Sequence, residues 1–213
     1  SGKTRTIALA PEAGSERLRR AIKKEFSEDD TLKAIDEVAK QDIRLLKLYF
    51  MLGLPSETDE DVKAIIELTL AAKEIIDRRR SKTRIVLTVA PFVPKAGTPF
   101  QWLPMASLET LNRRLSLLRS SLPAKGIKLK AESPAWSQVQ GILSRGDAKI
   151  SGILADVEEV SLSGWRKAAS KHHLDVDYYV KQRWDTARKL PWSVIETGTS
   201  IKRLQGELKK AKL

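Results

Sequence analysis

Three short stretches of this chain have the residue types to shape a binding site: Glu12-Ala13-Gly14-Ser15, Gly53-Leu54-Pro55-Ser56-Glu57-Thr58 and Pro94-Lys95-Ala96-Gly97-Thr98-Pro99. Each follows an apolar run of β-prone residues. The clearest is LKLYFMLGLPSETDED, Leu46 to Asp61. Here a buried strand stops at Gly53, turns, and launches a helix capped by Thr58 with Asp61 three residues on. Parallel α/β folds place their ligands at the carboxyl ends of strands, and a glycine there lets a ligand approach the backbone. Glu12 adds a carboxylate directly after Pro11, and the run Arg17, Arg19, Arg20, Lys23, Lys24 adds cations. Taken singly, each loop is an ordinary turn, and the basic run would equally make a solvated helix face. Three in succession at strand ends imply a shared rim.

The elements that position these loops alternate. Thr6–Ala10 reads as a strand, and Ser15 caps a helix with Leu18, Ala21 and Ile22 inward. Ser27 with Asp30 opens a second helix through Leu32, Ile35, Val38 and Ala39. The strand ending at Leu52 follows, then a helix burying Val62, Ile65, Ile66, Leu70 and Ile76 and ending in three arginines that suit its dipole. Residues 84–92 (RIVLTVAPF) form a third strand. Leu108, Leu111, Leu115, Leu118 and Leu122 mark a further helix, and residues 126–131 give a fourth strand. Consecutive βα units imply parallel strands covered by helices. The pattern ends near residue 132, whereas a complete (β/α)8 barrel needs about 250 residues. The expectation is a partial barrel over 1–132, followed by a mainly α-helical region over 133–213 whose aromatic residues, Trp165, Tyr178, Tyr179, Trp184 and Trp192, anchor short helices.

Composition narrows the chemistry. The chain has no cysteine, and its two histidines, His172 and His173, are adjacent. It therefore holds no disulfide, no thiolate zinc site and no iron-sulfur site of its own. The absence of an apolar run near 20 residues and of a signal-peptide pattern points to a cytoplasmic protein without a membrane partner. Net charge is +12. It is uneven: 19 basic and 16 acidic residues up to residue 106, against 20 and 11 beyond it. A basic second half suits anionic partners, so a binding module for RNA or another polyanion stands as the alternative to an enzyme.

PEAGSERLRRAIKK, LKLYFMLGLPSETDEDV and PFVPKAGTPF, in this order, resemble the second half of the radical S-adenosylmethionine (SAM) barrel, strands 4 to 6 or 7 with their helices. The run Arg145 to Asp147, the LPW of Leu190 to Trp192 and the segment 207–211 resemble the C-terminal part of uncharacterised bacterial members that carry an N-terminal cobalamin-binding-like domain. The resemblance implies SAM as cofactor, with a [4Fe-4S] cluster whose ligands lie outside this chain, and cobalamin as a further candidate. It implies a missing N-terminal barrel half as partner, and a substrate for which RNA is one candidate. The cluster would reduce SAM to methionine and a 5′-deoxyadenosyl radical. By the same resemblance Glu12 contacts the SAM ribose, with Ser15 beside it, and Lys24, on the following helix, neutralises the SAM carboxylate. Met51 lies under the adenine, Gly53 clears space for the ligand, and Phe92 and Val93 offer backbone groups to the adenine. Tyr49 stands where related enzymes often carry an aspartate. Met51 has the alternative of simple core packing, and Arg145 with Asp147 that of a helix-break ion pair.

One outcome follows directly from composition. Anaerobic reconstitution of the chain with iron and sulfide should give no cluster absorbance, and addition of reductant and SAM should give no 5′-deoxyadenosine, because the thiolate ligands are absent.

Overall fold

The computed structural model describes residues 5–196 and 198–211. Residues divide into two compact units, one of 1–91 and 109–132 and the other of 92–108 and 133–213. The first is α/β, the second helical.

In the first unit, β1 (Thr6–Glu12), β2 (Leu45–Leu52), β3 (Arg84–Pro91) and β4 (Lys128–Ala131) form a single parallel sheet in the order β1-β2-β3-β4. Between them run α1 (Glu16–Ala21), α2 (Glu28–Ala39), α3 (Asp59–Arg78) and α4 (Leu108–Ser121). Crossovers between parallel strands are right-handed, so strands that advance in one direction put their helices on one face, as in a barrel, and not on both, as in a doubly wound sheet. Burial follows this rule. On β2, Leu46, Leu48, Phe50 and Leu52 are buried while Leu45, Lys47, Tyr49 and Met51 are half-buried. The covered face continues with Leu87 and Val89 of β3, which pair in register with Leu48 and Phe50. This is the predicted partial barrel. The strand read from residues 126–131 forms as β4.

Local signals set the helix starts. Ser27 with Asp30 and Thr58 with Asp61 both form complete capping boxes. On α3 the buried set is Asp61, Val62, Ile65, Leu68, Thr69, Ala72 and Ile76. Ile66 and Leu70, expected inward, are half-buried because the contact stripe lies one step around the helix.

The second unit contains α5 (Pro134–Ser144), α6 (Lys149–Ala155), α7 (Leu162–Lys171), α8 (Val176–Val180) and α9 (Ile201–Lys210). Its core gathers Trp102, Leu103, Met105, Ile142, Trp165, Trp184 and Leu204. The aromatic residues act as anchors here, as expected. Arg145 is fully buried: its guanidinium lies 3.7 Å from the Trp184 ring centre and donates to the carbonyls of Leu103 and Gln182. Burial, with Arg188 nearby, lowers its pKa to about 10. Asp147 instead accepts from the Tyr179 hydroxyl at 3.0 Å, so Arg145 and Asp147 take separate partners and the ion-pair alternative is not realised. The loop Gly97-Thr98-Pro99 belongs to this unit, where Gln101 Oε1 accepts from Gly97 N (3.0 Å) and from Trp192 Nε1 (2.7 Å).

Gly14 has no room for a side chain. A Cβ there would stand 2.5 Å from Ile65 N and closer still to the Asp61 carbonyl oxygen, both backbone atoms of α3 that cannot move aside. Gly14→Ala should therefore destabilise the protein by about 1–3 kcal/mol through overpacking, read as a lower urea midpoint.

Candidate functional site

The carboxyl end of β1 carries an irregularity. Register shifts between Leu9 and Glu12, and Glu12 pairs with Phe50 at a left-handed φ of 66°. Such a conformation costs a non-glycine residue about 1–3 kcal/mol and persists only where the surroundings hold it. The holding groups are on α1. Arg19 is fully buried, and its Nη1 donates to the carbonyls of Ala13 at 3.1 Å and Gly14 at 2.7 Å. Desolvation lowers the pKa of Arg19, against the pull of Glu16 and Glu28.

A second left-handed residue closes α1. Lys23 has φ 59°, its N–H donates to Arg20 O at 3.1 Å, and Lys24 N–H donates to Arg19 O at 2.8 Å. This double bond pattern is a Schellman ending, usually built on glycine. Lys24 therefore lies in the turn beyond the helix, not on it as the sequence suggested, because the left-handed Lys23 stops the helix first. The turn brings Lys24 Nζ to 3.7 Å from Glu12 Oε1, with both side chains partly exposed (38% and 27%). An ion pair that loose and wet is worth little in itself, so a ligand can displace it at small cost.

The next loop is braced from within. Gly53 adopts φ 80° and Ser56 φ 61°. Glu57 folds back so that Oε2 accepts from Gly53 N at 2.6 Å, and Arg114 of α4 donates to the same oxygen at 2.7 Å and to Glu57 O at 2.5 Å. Burial pushes the Glu57 carboxyl up to about 7, against the bonds from Gly53 and Arg114. Asp61 ties this loop to the first: it accepts from Ser15 Oγ, from Arg17 Nη2 at 2.6 Å, and from Thr58 N and Oγ1 at 2.7 and 2.9 Å. Burial raises its pKa, and these bonds more than offset that, leaving it below the usual carboxylate value. Ser15, expected beside the cofactor, spends its hydroxyl on Asp61 and on accepting from Leu18 N.

Tyr49 and Met51 lie on the open, half-buried face of β2, in register with Thr88 and Ala90. Met51 is therefore not a closed core residue. Phe92 and Val93 fall in the second unit, where Phe92 packs edge-on against Phe100. Sequence reasoning missed Arg19 and Arg114. Arg19 sat in a basic run that reads as a surface stripe, and the partner of Arg114 is 57 residues away.

Residues 1–69 match the Radical SAM superfamily. The matched segment contains the Glu12–Lys24 pair, Gly53 and the Asp61 cap. The chain is also 38% identical over 152 residues to an uncharacterized protein of Methanocaldococcus jannaschii, a match that covers 71% of this chain and 32% of that protein. This chain accordingly spans about a third of the length of that relative. No solved structure matches it. Among the described residues no helix is long and apolar enough to cross a membrane.

Glu57→Ala should cost about 3 kcal/mol, the low end for breaking a buried pair because Asp59 still faces Arg114 at 3.3 Å. Glu57→Gln, which keeps an oxygen for Gly53 N–H, should cost less; urea denaturation of both variants checks the order.

Proposed function

We propose that this chain supplies part of the SAM-binding wall of a radical SAM enzyme. The observation that carries this reading is the Glu12–Lys24 pair. Two residues twelve apart in sequence stand 3.7 Å from each other at a strand's carboxyl end, bracketed by left-handed Glu12 and Lys23, inside the segment that matches the superfamily. The donor set suits SAM. A carboxylate accepts from ribose hydroxyls, an ammonium pairs with the methionyl carboxylate, and a half-buried methionine offers a polarizable surface to an adenine ring. Glu12 would hold the ribose, Lys24 the carboxylate and Met51 the base. Gly53, with φ 80° and its N–H bound by Glu57, sets the turn that ends β2 and adds no side chain to the ligand's side. Ser15 serves through Asp61, fixing the loop that carries Glu12.

The [4Fe-4S] cluster of the superfamily does not fit this chain. It has no cysteine, and among the described residues no group of three or more His, Cys, Asp or Glu could hold a metal. In this reading the thiolates come from outside these 213 residues, and the chain's own residues bind and orient SAM and help exclude water. The superfamily match does not extend to cobalamin, which has no part in the proposal. A polyanion-binding role for the C-terminal region rests on charge alone. Trp102, Trp165 and Trp184, which could otherwise stack bases, are buried in the core of the second unit.

In the whole protein, Glu12→Ala and Lys24→Ala should each weaken SAM binding by about 1–3 kcal/mol, the worth of a hydrogen bond to a charged group, whereas Ser133→Ala should not. Calorimetric titration checks this. Unchanged affinity in both variants would remove the two residues from the site.

A further inference from the structure

The face of the sheet opposite the helices is cationic. Register places Ala8, Lys47, Val86 and Lys128 in one row across all four strands, and Tyr49, Thr88 and Lys130 in the next row toward the carboxyl ends. Arg84 stands in the row below, beside Leu45. No aspartate or glutamate occurs in the two rows that hold these lysines; Glu132, the next residue of that alternation, lies beyond them at the carboxyl end, where its N–H donates to Val89 O at 2.9 Å. Among the described residues none of Lys47, Lys128 and Lys130 has an ion-pair partner, although most lysines on the helices of this unit do have one.

Position makes this more than a solvated surface. Lys47 is half-buried in β2, which has a strand on either side. A lysine there gives up part of its hydration, and a β-strand gains little from lysine in return. Strands about 4.8 Å apart and a rise of about 3.3 Å per residue put the Cα atoms of Lys47 and Lys128 about 10 Å apart, and those of Lys128 and Lys130 about 7 Å apart. Lysine stems can span such gaps, so three ammonium groups can close on one phosphate or diphosphate. Tyr49 and Thr88, between them, contribute hydroxyls.

We propose that this face binds the phosphate of a small phosphorylated substrate, held below the SAM site on the same sheet. The inference rests on the reading of the sheet as part of a radical SAM barrel, because that reading makes this face the barrel's interior. The interior of an eight-stranded barrel has room for side chains or one small ligand and excludes a nucleic-acid duplex. Separation along the strands supports two distinct ligands: Glu12 and Gly53 lie at the carboxyl ends, whereas Lys47 lies near the start of β2 and Lys128 begins β4.

The test is calorimetric titration of the protein with inorganic pyrophosphate, and separately with SAM. The triple variant Lys47→Gln, Lys128→Gln, Lys130→Gln should weaken pyrophosphate binding at least tenfold and leave SAM affinity unchanged. Lys33→Gln, on the exposed side of α2, should change neither. Lys128→Gln and Lys130→Gln alone disturb no packing, because both residues are exposed, so each should still weaken pyrophosphate several-fold if the triple variant fails to fold. Absent pyrophosphate binding, or binding undiminished in these variants, would overturn the proposal. So would a short single-stranded RNA that binds more tightly than pyrophosphate and is lost with the same lysines. Pyrophosphate binding lost with the lysines, while Glu12→Ala and Lys24→Ala both leave SAM binding intact, would remove those two residues from the cofactor site and leave the phosphate proposal standing.

Discussion

Asp61 is the point on which the carboxyl end of the sheet depends. It closes the N-terminal turn of α3, accepts the Ser15 hydroxyl that opens α1, and pairs with Arg17. One carboxylate thereby fixes two loops that leave neighbouring parallel strands. The helix it caps carries unpaired N–H groups and a partial positive charge at that end, so the carboxylate is satisfied by several donors at once. Gly14 follows from the same geometry, since the first loop can reach Asp61 only by lying directly on the backbone of α3.

Two buried arginines extend this bracing. Arg19 grips the carbonyls that follow Glu12, and Arg114 grips Glu57 beneath Gly53. Buried charges contribute weakly to net stability because desolvation consumes much of their attraction. Their effect here is conformational: each holds a loop in which a residue adopts a left-handed φ. Arg19 reaches both carbonyls through Nη1 alone.

The sheet has two unlike faces, and that contrast organises the rest. One is dry and aliphatic under α2, α3 and α4. The other carries Lys47, Tyr49 and Thr88, which are half-buried, and Arg84, Lys128 and Lys130, which are exposed. Sequential strand order produces this separation, because every crossover returns on the same side. Within the sheet, polar side chains are thereby confined to the open face and to the strand ends.

Sequence alone determined the periodic elements, the two capping boxes and the mixed α/β order, because these depend on contacts three or four residues apart. It also determined that no cluster can be held, since no thiolate is present. The resemblance carried by PEAGSERLRRAIKK and LKLYFMLGLPSETDEDV named Glu12 and Lys24, which the structure places 3.7 Å apart. Only the tertiary structure decided that Lys24 reaches Glu12 from a Schellman turn, that Ser15 answers to Asp61, that Glu57 is buried against Arg114, and that Lys47 shares a face with Lys128 and Lys130. Each of these depends on partners from separate segments or on a backbone angle that the residue type disfavours. Neither leaves a periodic trace in the chain: a basic run such as 17–24 reads the same whether its arginine lies on the surface or, like Arg19, is sealed beneath a loop.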